Sequence, residues 1–546
     1  MAVSGPHTEM VRVAPELVHR YTSRGFWGTR TLTDVIREHA RRNPDGLAFQ
    51  EGDRRMTWAE YDERSTRIAG ALIEAGFLPG ERIGIQLPDG PDVHAAFIGA
   101  EKAGLTVIGL GVRAGEKEVR HLLDRGEAVG LLTEETVRGE PVRPLYDRLV
   151  ADGLPLRAHL VLGELERAAP VAAHVADEVE RRRIGPNDLY MLNSTSGTTG
   201  LPKLVTQFQN RWFAYHRMAL DAGDLTSDDV FMCLIPAPYG FAQWTGKFTP
   251  TILGAPTHLM ARFNPEECLD RIDRHRVTVL MCVSTQFIML LNSPDFGRRD
   301  LSSLRVMFTG GEAIPFERAC EFESKTGAKV LQFYGSNETG ALSYTTVRHD
   351  LGYRLRTCGE VIPWMQVRLF DDDMMDVTAT GGPGQPGCKG PVTSLGYFRD
   401  DEANAELFTE DGWMLTGDIC VLENRTLRLV GRKADFIIRG GKNISAAAVE
   451  EDVGSHPAVG LVAAVPMPDD VFGEKVACYI VLKEGHQLTL ESLREHLRQR
   501  GASVESWPER LIFVDALPMS SGSKIAKGQL RLDIKERLAR EGVRSR

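Results

Sequence analysis

One segment of the sequence constrains the fold and the chemistry more than any other. Within eleven residues, Asn193–Lys203 carries five hydroxyl side chains, two glycines and a lysine. It follows the apolar stretch Leu189–Leu192, which is typical of a buried strand that ends at this point. Glycines let backbone N–H groups converge on an anion, hydroxyl groups add donors, and lysine adds positive charge. The segment therefore predicts a phosphate-binding loop at a strand end, although it lacks the spacing of a Walker A loop.

Apolar runs of strand length alternate with amphipathic helical patterns, such as Trp58–Ala75, up to about Asp350. The predicted strands of this region are Arg82–Leu87, Ala128–Thr133, Ala158–Leu162, Phe231–Ile235, Val277–Val283, Leu304–Thr309 and Lys329–Phe333. This alternation predicts an α/β fold with doubly wound sheets, in which ligands bind at the carboxyl ends of strands. Glycine-bearing segments lie just past such ends, at Thr309–Glu312 and Tyr334–Ser336 as well as after Leu192.

The pattern changes from Asp350 onward. Short strands and turns dominate, and Gly381–Gly390 is rich in glycine and proline, which predicts a small β subdomain. A compact α+β pattern follows Gly431 and is long enough to fold alone. We therefore predict two domains, residues 1–431 and residues 432–546.

Composition narrows the classes of partner and compartment. The net charge of −10 argues against nucleic acid as the main partner, because phosphate backbones require a basic face. No apolar run approaches the ~18 residues of a membrane span. The eight cysteines are scattered without C-x-x-C spacing, so we expect reduced thiols in a cytoplasmic protein and no structural zinc.

Four further segments place charged side chains beside glycines or small residues. They are Tyr334–Gly340 with its glutamate, Trp413–Asp418 with its aspartate, the basic Gly431–Asp435, and Ser520–Ile525 with its lysine. Each alone is typical of an exposed charged turn.

Together, and in this order, the segments resemble the adenylate-forming superfamily of acyl- and aryl-CoA synthetases, peptide-synthetase adenylation domains and beetle luciferases. The likeness runs from Thr31 to Leu538, and the S-G-T-T-G-x-P-K run that ends at Lys203 matches the family signature. The resemblance implies a large N-terminal domain of two doubly wound α/β subdomains and a small β subdomain. A small, mobile α+β C-terminal domain follows it. The implied cofactors are ATP, Mg²⁺ and coenzyme A.

The resemblance also implies roles for single residues. Thr195 and Lys203 would hold the β- and γ-phosphates of ATP, and Glu338 would bind Mg²⁺. Asp418 would bind the ribose with help from Arg432. The catalytic lysine would be Lys524, bridging the acid and the α-phosphate. The remaining nucleotide-binding residues would be Ser196, Gly197, Thr198, Thr199, Gly200, Gly310, Gly311, Glu312, Tyr334, Gly335, Ser336, Asn337 and Thr339.

By the same resemblance, the acyl pocket would be lined by Tyr239, Gly240, Phe241, Trp244, Ser284, Thr285, Gln286 and Thr309. The coenzyme A tunnel would be lined by Gly440, Gly441 and Lys442. The chain departs from the family at four positions. Tyr239 stands where histidine is frequent, and Ala434 stands at the usual hinge aspartate or lysine. Ser523 replaces the glycine before the catalytic lysine, and Leu204 replaces the glycine after the phosphate-loop lysine. Lys433 and Ala434 together are the predicted hinge.

The sequence thus predicts an ATP-dependent carboxylic acid–CoA ligase acting on a cyclic, aromatic or sterol-derived acid. Three alternatives stay open: a medium-chain fatty acid as substrate, transfer of the acyl group to an amine or a separate carrier protein, and a non-catalytic nucleotide-binding protein. Neither the particular acid nor the oligomeric state is predicted, and a homodimer is left open.

Overall fold

The computed structural model describes residues 12–167, 173–195, 201–312, 314–520 and 524–542. The strands are, in chain order, β1 (Leu47–Glu51), β2 (Arg54–Thr57), β3 (Arg82–Gln86), β4 (Thr106–Gly109), β5 (Ala128–Thr133), β6 (Thr136–Val137), β7 (Glu140–Pro141), β8 (Ala158–Val161), β9 (Met191–Ser194), β10 (Leu204–Gln207), β11 (Phe231–Cys233), β12 (Thr257–Leu259), β13 (Val279–Met281), β14 (Val306–Gly310), β15 (Lys329–Ser336), β16 (Gly340–Tyr344), β17 (Glu360–Val361), β18 (Gln366–Phe370), β19 (Gln385–Lys389), β20 (Met414–Leu415), β21 (Asp418–Glu423), β22 (Thr426–Arg432), β23 (Phe436–Arg439), β24 (Lys442–Ser445), β25 (Val459–Asp469), β26 (Gly473–Leu482) and β27 (Arg510–Phe513).

The α-helices are α1 (Pro15–Ser23), α2 (Leu32–Arg42), α3 (Trp58–Glu74), α4 (Pro91–Lys102), α5 (Glu116–Arg125), α6 (Arg143–Ala151), α7 (Leu162–Arg167), α8 (Ala173–Arg182), α9 (Gln209–Gly223), α10 (Gly240–Ala242), α11 (Thr249–Leu253), α12 (Pro265–His275), α13 (Ser284–Asn292), α14 (Phe316–Thr326), α15 (Leu351–Arg356), α16 (Asp401–Leu407), α17 (Ala446–Gly454), α18 (Leu490–Gln499) and α19 (Lys527–Arg540). A π-helix, Gln243–Phe248, joins α10 to α11, so the chain is helical from residue 240 to residue 253.

Two large sheets make up the N-terminal part of the molecule. One has eleven strands in the order β2-β1-β12-β11-β13-β14-β15-β16-β17-β22-β21, and the other has six in the order β10-β9-β4-β3-β5-β8. The central strands of both sheets are parallel, because helical crossovers connect them. One apolar core contains residues of both sheets, including Ile85 of β3 and Val279 of β13. The predicted α/β class with doubly wound sheets is therefore confirmed.

The predicted β region is divided between two sheets. Strands β18, β19 and β20 form a separate three-stranded sheet. The hairpin β21–β22 instead extends the eleven-stranded sheet through β17. Because β16 runs antiparallel to β15, it leaves an edge that accepts β17 and then this hairpin.

The C-terminal part forms its own sheet. Strands β24, β23, β26 and β25 lie side by side in that order, and β27 pairs with β26. Two apolar clusters, one against α17 and α18 and one against α19, cover this sheet. The domain boundary at residues 431 and 432 stays a prediction; β22 ends at Arg432 and the C-terminal sheet begins at Phe436.

Candidate active site

The flanks of the Gly/Thr-rich segment are held together by a hairpin. Strands β9 and β10 pair antiparallel with Ser194 opposite Leu204. The backbone N–H of Thr195 donates to the Lys203 carbonyl at 3.0 Å, and Thr195 Oγ1 accepts from the Lys203 N–H at 3.2 Å. The two predicted phosphate-binding residues are thus adjacent. Ser196, Gly197, Thr198, Thr199 and Gly200 lie outside the described residues.

Lys203 and Glu338 are linked by a residue that the sequence reasoning missed. The Nζ atom of Lys203 lies 4.9 Å from the centre of the Tyr397 ring. The Tyr397 hydroxyl donates to Glu338 Oε1 at 2.7 Å. Tyr397 lies between β19 and β20 and has no motif of its own, so no sequence signal marked it. Tyr397 therefore contacts both the Lys203 ammonium group and the buried Glu338 carboxylate.

The turn between β15 and β16 orients Glu338. Ser336 Oγ accepts from the backbone N–H groups of Glu338 and Thr339, at 3.2 and 3.1 Å. A side chain at Gly335 would collide with the Gly340 carbonyl, so the strand end closes tightly only with glycine. Glu338 is buried.

Tyr334 and Asp418 form a second polar group at the neighbouring strand ends. The Tyr334 hydroxyl donates to Asp418 Oδ2 at 2.9 Å, and Arg432 Nε lies 3.8 Å from Asp418 Oδ1. Asp418 and Arg432 face each other in register at the base of the β21–β22 hairpin. Burial raises the pKa of Asp418, and the Arg432 charge opposes that shift.

Lys524 reaches this region from the C-terminal sheet domain. Its Nζ donates to the Gly311 carbonyl at 2.7 Å. Gly311 has φ of +81°, and a side chain there would collide with Nζ. Glycine is therefore required both by the left-handed backbone and by the approach of the lysine.

Several of the predicted residues lie close enough to Lys524 to act on its charge. Burial lowers the pKa of Lys524, while the carboxylates of Glu312, Asp418 and Glu338 favour its charged form. Arg432 acts in the opposite direction. Residues far apart in sequence thus act electrostatically on a single ammonium group.

Aromatic rings line the predicted acyl side of the cleft. Trp244, on the π-helix, is buried and stacks on Tyr215 with ring centres 5.2 Å apart. It also meets Phe333 edge-on at 4.6 Å and Phe241 at 5.5 Å. Tyr239, Gly240 and Phe241 are half-buried at the entrance to this group. The sequence identified Trp244 and Phe241, but not Tyr215 or Phe333.

Two other predicted pocket residues, Ser284 and Gln286, form hydrogen bonds that involve backbone groups. The Ser284 N–H donates to Glu312 Oε1 at 2.7 Å, which fixes the glutamate beside α13. Gln286 accepts from the Val283 N–H at 3.1 Å and donates to the Leu234 carbonyl at 2.8 Å. Thr285 and Thr309 are buried.

The predicted tunnel residues lie on the β23–β24 hairpin of the C-terminal sheet. Gly440 and Gly441 form the tight turn of the β23–β24 hairpin, both with positive φ. Lys442 pairs with Glu505 at 2.6 Å within the C-terminal sheet domain. Of the two predicted hinge residues, Lys433 pairs with Asp372 at 2.7 Å, and Ala434 lies in the short helix Lys433–Asp435.

Two kinds of site are not found among the described residues. No group of three or more His, Cys, Asp and Glu side chains that could hold a metal ion is present in this part of the chain. Within the same residues, no helix is long and apolar enough to cross a membrane.

Comparisons with known proteins show the family to which this chain belongs. Residues 36–398 match the family described as AMP-binding enzyme, and residues 448–524 match the AMP-binding enzyme C-terminal domain. The chain is 29% identical to the medium-chain fatty-acid–CoA ligase of Escherichia coli K12, over 95% of this chain and 93% of that protein. It is 31% identical to the salicyl-AMP ligase / salicyl-S-ArCP synthetase of Mycobacterium tuberculosis, over 93% of this chain and 91% of that protein.

A solved structure has the same fold. The anthranilate CoA ligase AuaEII in complex with anthranoyl-AMP superposes with a TM-score of 0.83 at 21% sequence identity, covering 94% of this chain and 98% of that one. The family matches span both the N-terminal and the C-terminal parts of the molecule. The chain therefore belongs to the adenylate-forming superfamily of AMP-binding enzymes.

Proposed function

We propose that this adenylate-forming enzyme is an ATP-dependent carboxylic acid–CoA ligase for a cyclic, aromatic or sterol-derived acid. The observation that carries the proposal is the approach of Lys524 Nζ to Gly311, in the cleft that also contains Glu338 and Asp418. A cation of this kind is required where a carboxylate attacks a phosphorus atom surrounded by negative oxygens.

In the first half-reaction, a carboxylate oxygen of the acid forms a bond to the α-phosphorus of ATP. The bond from that phosphorus to the bridging oxygen breaks, and pyrophosphate leaves with the electron pair. Lys524 would lie between the two reacting groups, and Lys203 with Thr195 would hold the leaving phosphates. Asp418, oriented by the Tyr334 hydroxyl, would bind the ribose hydroxyls. Because the residues hold both reactants in line, the chain supplies alignment as well as charge.

The residues present fit a magnesium ion bound mainly through its substrate. Glu338 is a buried carboxylate with one oxygen already held by Tyr397. Mg²⁺ commonly binds through one or two carboxylates together with phosphates and waters, so a single glutamate is a sufficient protein ligand. The ion would neutralise negative charge on the phosphates.

In the second half-reaction, the thiol sulfur attacks the acyl carbonyl carbon and forms a carbon–sulfur bond while the thiol proton passes to solvent. The bond from that carbon to the AMP phosphate oxygen breaks, and AMP leaves with the electron pair. We propose that the C-terminal domain, residues 432–546, rotates between the two steps, about the hinge at Lys433 and Ala434. Rotation would remove Lys524 and bring the turn at Gly440 and Gly441, with Lys442, to the thiol tunnel. It would require the Lys433–Asp372 ion pair to break.

The aromatic rings around Trp244 support a flat or cyclic acid. Edge-on and stacked rings form a rigid apolar surface that suits another ring better than a flexible chain. A relative that acts on medium-chain fatty acids keeps that substrate as a second candidate.

The decisive experiment measures ATP–pyrophosphate exchange with a panel of acids that includes benzoates, alicyclic acids and medium-chain fatty acids. We expect exchange with ring acids to exceed exchange with hexanoate and octanoate. Absence of exchange with every acid would refute the proposed adenylation.

The acceptor needs a separate test, since a relative is named as both a salicyl-AMP ligase and a salicyl-S-ArCP synthetase. The acyl-adenylate formed by the enzyme is offered to coenzyme A, a carrier protein bearing phosphopantetheine, and an amine. We expect the thioester of coenzyme A to form fastest. Faster transfer to the carrier protein would replace the CoA-ligase proposal while leaving adenylation intact.

A further inference from the structure

A cavity separate from the catalytic cleft lies between α9, α2 and the segment that precedes α2. Its volume is about 460 Å³, which is in the range of small-molecule binding sites. None of the described residues predicted for the nucleotide, the acyl group or the thiol lines it. On α9, Phe213, His216 and Arg217 recur at helical spacing and face this cavity. Tyr215, on another face of the same helix, stacks on Trp244 of the acyl side, so α9 separates the two spaces.

Much of the cavity wall is apolar and aromatic. The rings of Phe26, Trp27 and Phe213 line it, together with Ile252 of α11. Trp27 is buried, and its indole N–H already donates to the Pro391 carbonyl at 3.0 Å, so this side chain offers only apolar surface. Aromatic rings pack favourably in stacked and edge-on contacts with another ring, and the wall therefore suits a ligand with an aromatic body.

The polar part of the wall carries an excess of positive charge. Among the described residues that line the cavity are three guanidinium groups, those of Arg30, Arg42 and Arg217, and one carboxylate, that of Glu38. Glu38 pairs with Arg30 at 2.5 Å and with Arg42 at 2.7 Å, so three positive charges meet one negative charge and two are unbalanced. Because the whole chain carries a net charge of −10, this local excess is opposite in sign to the overall charge. The excess favours an anionic ligand.

His216 presents an unpaired nitrogen to the same cavity. The residue is 8% exposed, and among the described residues neither ring nitrogen has a hydrogen-bond partner. Its Nδ1 is shielded from solvent whereas Nε2 is not, so Nε2 is the atom that a molecule in the cavity can reach. Burial lowers the pKa of His216 to about 4, so the ring is neutral near pH 7 and Nε2 can carry the hydrogen. Buried polar groups are almost always paired, and the missing partner of His216 therefore calls for an explanation.

We propose that this cavity binds a small aromatic anion, an aryl carboxylate or sulfonate, at a site apart from the catalytic cleft. The ring of the ligand packs against Phe26, Trp27 and Phe213. Its anionic group lies in the field of the guanidinium groups and accepts a hydrogen bond from His216 Nε2. Each guanidinium has five N–H donors, which is more than the Glu38 carboxylate can occupy. The inference goes beyond the proposed reaction and uses none of the residues assigned to it.

The test measures, by calorimetry on the full-length enzyme without ATP, the dissociation constants of naphthalene-1-sulfonate and of its neutral sulfonamide. We expect the sulfonate to bind at least ~10-fold more tightly, because hydrogen bonds to a charged group are the stronger ones. His216→Phe, which keeps a ring and removes the donor, should weaken sulfonate binding by ~10-fold. Gly28→Phe should weaken the binding of both ligands, because Gly28 lines the cavity and a side-chain carbon there meets no atom within 4 Å, which lets the new ring enter the space.

Removal of charge distinguishes this site from general apolar binding. The double variant Arg30→Gln/Arg42→Gln should weaken the sulfonate by ~5-fold and leave the sulfonamide unchanged, since partly exposed charges contribute modestly. Both arginines are exposed, so this variant keeps the test open even if His216→Phe fails to fold. Arg41→Gln, at the neighbouring exposed position of α2 that does not line the cavity, is the matched control and should bind like wild type.

Three results would overturn the inference: no binding of the sulfonate, equal affinity for sulfonate and sulfonamide, or affinities unchanged in all of the cavity variants. The last result would place the ligand elsewhere on the molecule. None of them bears on the ligase proposal, because adenylation is measured separately by exchange. Absence of exchange would in turn leave the binding result as it stands.

Discussion

Lys524 is held in the cleft by a backbone carbonyl and by surrounding carboxylates, with no salt bridge of its own among the described contacts. Its Nζ donates to Gly311, and three carboxylates nearby favour its charge. A charge placed in this way would be available to the proposed transition state of adenylation.

Removing that charge should slow adenylation selectively. We expect Lys524→Ala to reduce ATP–pyrophosphate exchange by at least ~10²-fold, as loss of an electrostatic contact made in the transition state does. Thioester formation from preformed acyl-adenylate should be nearly unchanged, because the lysine would have left the cleft by then. Lys535→Ala, at an exposed position of α19, is the matched control. An equal loss of both half-reactions would contradict the assigned role.

A second residue predicts how stability depends on pH. Asp89 is buried, accepts from the Ala237 N–H at 3.1 Å, and has its pKa raised by burial to about 8. A carboxyl group whose pKa is raised on folding favours the folded state when protonated. That stabilisation is complete below the ordinary value of 3.8 and is lost as pH rises toward about 8.

We therefore expect Asp89→Asn to be more stable than wild type, by a margin that appears above about pH 4 and grows up to about pH 8. Thermal unfolding of both proteins across this range measures the margin. The exposed Asp373→Asn should show no such trend. A stability difference that is constant with pH would show that the Asp89 carboxyl does not titrate as inferred.

At the scale of elements, a buried lysine on the π-helix Gln243–Phe248 lies near a buried glutamate on α4. Lys247 is fully buried and donates to the Tyr190 hydroxyl at 2.6 Å. Burial lowers its pKa, and the nearby buried Glu101 of α4 opposes that shift. Burial likewise raises the pKa of Glu101. The two groups thus stabilise each other's charge across the boundary between α4 and the π-helix.

Removing only Lys247 should lower the free energy of unfolding more than replacing both Lys247 and Glu101 with neutral side chains. We expect Lys247→Met to lower the free energy of unfolding by about 3 kcal/mol, because it leaves Glu101 buried without a counter-charge. The double variant Lys247→Met/Glu101→Gln should recover most of that loss. Urea unfolding of the wild type, the two single variants and the double variant measures the free energy of unfolding of each. Additive effects of the two substitutions would refute the coupling.

Elements with a clear hydrophobic period were predictable from the sequence, and irregular ones were not. The strand predicted at Ala128–Thr133 has those bounds in the structure, and the helix predicted at Trp58–Ala75 ends one residue earlier. Fully apolar strands and a helix with a capping box at Thr57 leave little ambiguity. The π-helix has no distinct sequence period, and the extension of the large sheet by β21–β22 depends on an edge that only the fold creates.

The same limit applies within the site. Lys203, Glu338, Asp418 and Lys524 were predicted from the order of their segments and the resemblance to the adenylate-forming superfamily, because three of the four segments are, taken alone, typical of exposed charged turns. Tyr397 and the hydrogen bond between Asn337 and Asn193 were not recognisable, because the partners are 59 and 144 residues apart in the chain. Their polar roles arise only when the two hairpins meet.

At the scale of the whole molecule, the described contacts between the C-terminal domain and the N-terminal part include both ion pairs and apolar packing. Arg500, at the end of α18, pairs with Glu317 of α14, and both are partly exposed. Leu461 of β25 packs against the apolar cluster under α13 and α14. Such an interface is compatible with the proposed rotation of the C-terminal domain.

The Arg500–Glu317 pair should therefore make a small contribution to the stability of the docked position of the C-terminal domain. We expect Glu317→Arg to slow adenylation by about 2- to 5-fold at low salt, since a surface pair is worth at most about 1 kcal/mol. High salt should abolish the effect, and the swap Arg500→Glu/Glu317→Arg should restore the rate. Stopped-flow pyrophosphate release measures it. Lys325→Glu, which breaks a pair inside α14, is the control; an equal effect there would contradict a docking role.

The β21–β22 hairpin joins two tasks in one piece of backbone. Asp418 opens it, Arg432 closes it directly opposite, and the chain passes from Arg432 into the short turn that leads to the C-terminal sheet. A ribose bound at the base of this hairpin would therefore lie beside the segment about which the C-terminal domain would rotate. Nucleotides with a modified ribose would then alter the rotation of the C-terminal domain as well as the affinity for the base and phosphates.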